Sequence, residues 1–222
     1  TTRPETTSSS QAGQVGTGVK VSTITRVRDN FLDYQTRVEL SVKGQYDVTD
    51  EYLTQVENIM HEPSDTGIST LLGKFYDSWQ SLSKQAETTS SKTLVAQQSK
   101  ALTDELNHTY TELKSLQSDA QSNIKDAVSE MNNYLDQISS LNQEIMQVKI
   151  AGQEPNDLMD SRDKLLDQLS SKFGITIDKD NFDGINVTAE GSTVNLIQCK
   201  DPKSEYRFSY NNGKIQLTNS SG

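Results

Sequence analysis

The sequence predicts a multi-domain, mainly α chain. An elongated helical rod domain, with long antiparallel coiled-coil-like helices and a short N-terminal strand, precedes the start of a β-rich domain. Three observations predict this. Between Gly73 and Gly152 there is neither glycine nor proline. Most of that stretch carries apolar residues at a coiled-coil spacing. From Ile175 the apolar period changes to two.

The spacing runs through Leu106, Tyr110, Leu113, Gln117, Ala120, Ile124, Ala127, Met131, Tyr134, Ile138, Leu141, Ile145 and Val148. Its steps alternate threes and fours, with a mean of 3.5. A straight helix repeats at roughly 3.6, so a seam held at 3.5 wraps left-handedly around partner helices. One helix over residues 93–150 is about 87 Å long at about 1.5 Å per residue. A rod that spans or connects things needs such a beam; a compact enzyme of this size does not. The expected radius of gyration therefore exceeds the roughly 17 Å of a compact chain of this length.

The remaining elements follow in order. Residues 1–14 are Thr, Ser and Gln with little to bury, an extended or disordered lead-in. Val19, Val21 and Thr23 alternate with Lys20 and Ser22, a short strand. Asp29 opens a helix across residues 30–60, on Phe31, Leu32, Gln35, Val38, Val42, Gln45, Tyr52, Val56 and Ile59. Gly44 weakens its middle by roughly 1 kcal/mol relative to Ala, which predicts a local break. Pro63 ends it. A helix on Ile68, Leu71, Leu72, Phe75, Trp79 and Leu82 follows, with Asp65 or Thr66 as cap. The aromatic and Met positions Phe75, Trp79 and Met131 read as core.

Polar residues 86–93 connect to the long helix, which Gly152 and Pro155 close. Asn156 then caps a helix whose buried face is Leu158, Leu165, Leu166, Leu169 and Phe173, ended by Gly174. Short strands follow at 175–177, 185–187, 193–197, 206–210 and 214–217. Asn211-Asn212-Gly213 predicts a hairpin between the last two. The expected domains are a lead-in at 1–14, the N-terminal half of a helical rod at 15–174 and an incomplete β-rich outer domain at 175–222.

Composition narrows the function classes. The hydrophobic fraction is 32%, and adding the twelve glycines keeps it below the roughly 45–50% of an average globular chain. That supply suits thin layers with one buried seam each. The net charge is −10 and basic residues are scattered, which argues against nucleic-acid binding. Cys199 is the single cysteine, so no intrachain disulfide forms. No apolar run reaches the roughly 20 residues of a membrane span.

Site chemistry is sparse, and no catalytic, cofactor-binding or metal-ligating residue is assigned. His61-Glu62 begins like a zinc-protease helix, but Asp65 stands where the second histidine belongs, and Pro63 interrupts. The other histidine, His108, faces outward. Asp157, Asp160, Asp163 and Asp167 lie on adjacent turns with Arg162 and Lys164 among them. They read as an N-terminal cap and a solvated face rather than a metal site. The segment Lys179 to Glu190 has Gly184 and Glu190 at calcium-loop positions, but begins with Lys and lacks flanking helices. A β-turn explains its glycine. There is no G-x-S-x-G and no phosphate loop. The sequons at Asn107, Asn186 and Asn219 are what any Ser/Thr-rich chain supplies.

Four pieces in order resemble the flagellar hook-associated protein 1 family, FlgK. They are GQVGTGVKVSTITRVRDNFLDYQTR at 13–37, the GISTLLxxFYxSWQxLS run at 67–83, the long helix, and GxxPNDLxDxRDxLLDxLS at 152–170. The long helix matches in length and place rather than in residue identity. Members of the family carry terminal core helices that these 222 residues lack, so the chain reads as a fragment. The resemblance implies a non-enzymatic, secreted structural subunit of the bacterial flagellum, exported without a cleaved signal peptide. Such a subunit joins hook to filament by self-assembly and transmits torque. The partners it implies are the hook protein, the second hook-filament junction protein, identical subunits and, through the missing C-terminal region, an export chaperone. Neither a cofactor, nucleic acid nor a membrane is among them. The runner-up from residue pattern alone is a helical ligand-binding or sensor module, which requires a pocket and flanking membrane segments.

Overall fold

In a computed structural model of the chain, the described residues are 2–7, 15–21, 24–60, 64–202, 205–211 and 213–219, with 2–7 and 15–21 described by backbone alone. Strands β1 (Thr2–Thr7) and β2 (Val15–Val21) pair antiparallel. They are followed by α1 (Asn30–Met60), α2 (Ile68–Lys84), α3 (Thr89–Ile150) and α4 (Asn156–Ser170). Strands β3 (Ile175–Lys179), β4 (Ile185–Ala189) and β5 (Asn195–Ile197) form one antiparallel sheet. A hairpin of β6 (Tyr206–Asn211) and β7 (Lys214–Asn219) follows. The helices and all five predicted C-terminal strands are present. The pairing of residues 2–7 was not expected from their composition. What the sequence predicts for residues 8–14, Ser22, Thr23, His61, Glu62, Pro63 and Asn212 lies outside the described residues.

Local chemistry explains where these elements begin and stop. Asp29 caps α1: its Oδ1 accepts from the amides of Phe31 (2.9 Å) and Leu32 (3.4 Å). Gly44 does not break α1, which is one helix of 31 residues. The glycine answers a different need, because a Cβ there would stand 2.1 Å from the Ser171 carbonyl oxygen. Neither Asp65 nor Thr66 caps α2; Gly67 occupies that position and no side chain bonds the free amides. Pro155, not Asn156, holds the cap position of α4, and the Asn156 side chain donates instead through Nδ2 to the Ile24 carbonyl (2.9 Å). Gly152 adopts φ +79 at the end of α3, and the Gln153 amide reaches back to Val148 (3.1 Å), as a left-handed stop requires.

The chain divides into two compact units, 1–44 with 128–222, and 45–127. In the first, Val128, Met131, Leu135 and Ile138 of α3 form one core with Leu166 and Leu169 of α4 and Ile175, Ile185, Val187, Leu196 and Ile197 of the sheet. Phe173 and Phe208 close it edge to face, ring centres 4.8 Å apart. This core crosses residue 174 without a break, so the change of period at Ile175 marks a change of secondary structure inside one core.

The buried stripe of α3 is Val128, Met131, Leu135, Ile138, Asn142 and Ile145. It keeps the heptad spacing but sits one residue away from the expected seam at alternate steps: Leu135 replaces Tyr134 and Asn142 replaces Leu141. Tyr134, Leu141 and Val148 are half-buried. In the second unit, Leu106, Tyr110 and Ile124 of the same predicted seam are exposed. Trp79 is 49% exposed rather than core, and Ser78 is the buried residue of α2. Met131 is buried as expected, and Phe75 is half-buried.

Candidate functional site

Two sets of polar side chains organise the first unit. One lies along α3 beside its apolar stripe. Asn132 clamps the backbone of Phe208 in β6, donating to its carbonyl (2.8 Å) and accepting from its amide (2.9 Å). Asn142 does the same for Ile185 of β4, at 2.9 Å each way, and also accepts from Arg162 Nη1 (2.9 Å). Ser139 donates to Glu205 Oε1 (3.0 Å), which also takes the Gln198 amide (3.1 Å). Glu205 is buried, and Arg207 neutralises it at 2.8 Å while reaching Asp136 at 2.9 Å. Positions 132, 136, 139 and 142 share one helix face at steps of four and three. A polar stripe of this kind reads in sequence as solvent-facing, and here it holds the strands.

The other set surrounds a cavity of about 320 Å³. Arg26 and Arg28 stand in the segment before α1, Arg37 on α1, and Asp160, Asp163 and Asp167 on one face of α4. Asp163 lies at the centre: Arg26 donates to its Oδ2, Arg37 Nη2 reaches its Oδ1 at 3.2 Å, and Arg28 Nη2 approaches at 3.5 Å. Arg26 also meets Asp160 (2.7 Å), Arg28 meets Asp33 (3.0 Å) and Arg37 meets Asp167 (2.9 Å). The solvated face expected for these aspartates is therefore an ion-pair network at Asp163 and Asp167. Their partners lie 126 to 137 residues away, beyond any local pattern. Burial alone would lower the Arg28 pKa, but the Asp33 hydrogen bond and neighbouring carboxylates outweigh it and hold the pKa above the ordinary arginine value.

Arg162 behaves differently. It is 4% exposed, and Nη1 donates to two neutral acceptors, Asn142 Oδ1 and the Asp183 carbonyl (2.8 Å). Its Nε has no hydrogen-bond partner among the described residues. Burial lowers its pKa below the ordinary arginine value, only partly offset by the charges of Asp163 and Asp183. Phe182 and Asp183 both adopt left-handed backbone, φ 55 and 56, in the turn that carries the carbonyl Arg162 bonds. Arrangements of guanidinium and carboxylate hold charge and geometry.

The other sequence candidates are dispersed. Asp180 accepts from the Asn181 amide (2.7 Å) and pairs with Lys200 (2.9 Å). The Cys199 thiol is buried and its pKa raised, first by that burial and then by the Asp180 charge. Asn186 of the central sequon accepts the Cys199 amide (2.9 Å). His108 is exposed on α3. Among the described residues no group of three or more His, Cys, Asp or Glu is arranged to hold a metal, and no helix is long and apolar enough to cross a membrane.

The family model for the helical domain of the flagellar hook-associated protein FlgK matches residues 53–219. The chain belongs to the FlgK family. Flagellar hook-associated protein 1 of Bacillus subtilis (strain 168) is 35% identical over 185 residues, covering 83% of this chain and 36% of that protein. The protein of the same name in Escherichia coli (strain K12) is 28% identical over 178 residues, 79% of this chain and 32% of its own length. The chain thus spans about a third of the length of the curated relatives it matches. The flagellar hook junction protein FlgK from Burkholderia pseudomallei superposes with a TM-score of 0.66, over 85% of this chain and 33% of that one. At 20% identity the superposition shows the fold. FlgK proteins are structural flagellar proteins, and no enzymatic activity is implied.

Two of the runs that carry the FlgK resemblance meet in the arginine cavity. Residues 13–37 supply Arg26, Arg28, Asp33 and Arg37, and residues 152–170 supply Asp160, Arg162, Asp163 and Asp167. Sequence reading identified both runs but not their meeting. Local pattern carried no signal of it, because the predicted seam passed through the apolar Leu141 rather than its neighbour Asn142.

Proposed function

We propose that this chain is part of a hook-filament junction subunit of the bacterial flagellum, the helical domain together with the opening of a β-rich outer portion at 175–222. It works by self-assembly and torque transmission, as part of an elongated rod whose long helices pack antiparallel in coiled-coil fashion. The observation that carries the reading is the FlgK helical-domain match over residues 53–219. Support comes from the heptad face of α3, which is buried from Val128 onward and leaves Leu106, Tyr110 and Ile124 exposed. Exposed apolar residues at this spacing suit packing against further helices. The partners we infer are the hook protein, the second junction protein, identical subunits and an export chaperone. The setting is the extracellular flagellum, reached without a cleaved signal peptide. No catalytic, cofactor or metal role is assigned to any residue.

The test is whether the full-length protein binds purified hook and caps its end. Hook ends that stay bare at saturating protein would overturn the reading. Small-angle scattering tests the rod: a radius of gyration for the chain near the roughly 17 Å of a compact chain would count against it.

A further inference from the structure

Four of the six arginines in this chain line one cavity, although the chain as a whole carries a charge of −10. Arg26, Arg28 and Arg37 are matched by Asp33, Asp160, Asp163 and Asp167. Asp183 also lines the cavity, and its carboxylate pairs with Lys149 at 2.7 Å. Two further cations at the cavity make no ion pair among the described residues. Arg162 is buried, bonds neutral oxygens only, and leaves Nε without a hydrogen-bond partner among the described residues. Lys179, on β3, is exposed and makes no ion pair among the described residues. The charges of Asp163 and Asp183 offset the burial of Arg162 only in part, and the remaining cost falls when a carboxylate comes within hydrogen-bond reach.

The rest of the lining narrows the ligand. Met159, Leu166, Ile175, Ile177 and Ile185 form an apolar wall beside the guanidinium groups. A free phosphate would leave that wall wet. A carboxylate on an aliphatic stem fits both surfaces, and about 320 Å³ lies at the small end of the roughly 300–1,000 Å³ of ligand pockets. The second compact unit is a ready source of such groups: residues 45–127 hold thirteen acidic and six basic residues, a net −7, against −3 for the first unit.

We propose that the arginine-lined cavity of the first unit is an acceptor site for a carboxylate on an aliphatic stem, supplied by an acidic side chain from residues 45–127 of a second copy. The source rests on the self-assembly reading above; the chemistry of the site does not. A carboxylate seated at Arg162 and Lys179 sets the register of one copy on the next and favours the correct encounter over others.

The experiment has two arms. In the first, hexanoate and inorganic phosphate are titrated separately into the full-length protein, with methyl chemical shifts of Ile177 and Ile185 as readout. Hexanoate is expected to shift both at millimolar concentration. Lys179→Gln, a surface change that spares the ion network, is expected to weaken that binding about 1.5- to fivefold, the scale of losing one exposed charge. No shift with hexanoate, or an equal shift with phosphate, overturns the site.

In the second arm, carbodiimide couples touching amines and carboxylates in protein assembled on hook ends from isotopically mixed copies. A mixed-label peptide joining Lys179 to an acid of residues 45–127 is expected, and it vanishes in Lys179→Gln. Assembled protein without that peptide overturns the second copy as source while leaving the junction reading intact. Failure to assemble on hook ends removes both the junction reading and the second-copy source, and the hexanoate arm still decides the site.

Discussion

The two compact units use one long helix in opposite ways. Of the fourteen apolar side chains buried among the described residues, thirteen belong to the first unit and only Val95 to the second. The first has α4 and the strands against α3, so its heptad stripe becomes a core. In the second, the buried positions include Ser78, Ser91 and Thr109, and Tyr46, Leu53, Tyr76 and Tyr110 are exposed. A heptad repeat therefore states that a face wants partners; what lies opposite decides whether that face is already core or still available.

The sharpest way to break this comparison is to truncate one buried apolar side chain in each unit. Leu169→Ala, at a position fully buried in the first unit, is expected to cost about 2–5 kcal/mol. Val95→Ala should cost only about 1–2 kcal/mol, since it deletes two methyl groups. Hydrogen exchange of α4 amides and the fluorescence of Trp79, which reports on the second unit, separate the two responses. Equal losses from both substitutions would sink the distinction.

Polar clamps in the first unit give the next effect. Asn142→Leu supplies the apolar residue that a heptad favours, yet it abandons both polar groups of Ile185 and the buried Arg162. It is expected to destabilise by about 1–3 kcal/mol in urea denaturation. A stabilised variant would mean that the strand clamp is dispensable. Gly44→Ala gains roughly 1 kcal/mol of helix propensity, but its Cβ meets the Ser171 carbonyl oxygen. A net loss of about 1–3 kcal/mol is expected, with a gain in melting temperature as the contrary result.

The smallest effect is pH dependence at the rim of the first unit. Hydrogen bonds from Lys172 and Tyr134 hold the Glu130 pKa below its usual value. A depressed carboxylate contributes stability that is fully present above its unfolded pKa of about 4.3 and is lost as pH falls through the lower folded value. Its worth is below about 1 kcal/mol, because the side chain is 43% exposed. Glu130→Gln should flatten that part of the acid unfolding curve; an unchanged curve assigns the loss to other carboxylates.

Period and punctuation made the elements legible. Asp29, Gly152 and the change to period two at Ile175 each mark a real boundary. The phase of the seam was harder, because Tyr134 beside Leu135 and Leu141 beside Asn142 offer two neighbouring stripes that differ by one residue. Pattern favours the more apolar of each pair, and it missed that strands from elsewhere would give Asn142 its partners. The cavity was least legible. Three of its arginines come from residues 26–37 and the carboxylates they meet chiefly from 160–167, and opposite charges so far apart in sequence look like two solvated surfaces. The burial of Arg162 needed the strands as well as the helix.

The amide clamps of Asn132 and Asn142 have a consequence for how this chain can change over time. Both grip main-chain atoms of β6 and β4, which every amino acid except proline presents alike. Strand position is thereby tied to the helix without reference to which side chains the strands carry. Outward-facing residues of the strands can drift while their alignment to α3 stays fixed. A subunit with such an attachment can vary its outer surface and keep its scaffold in step.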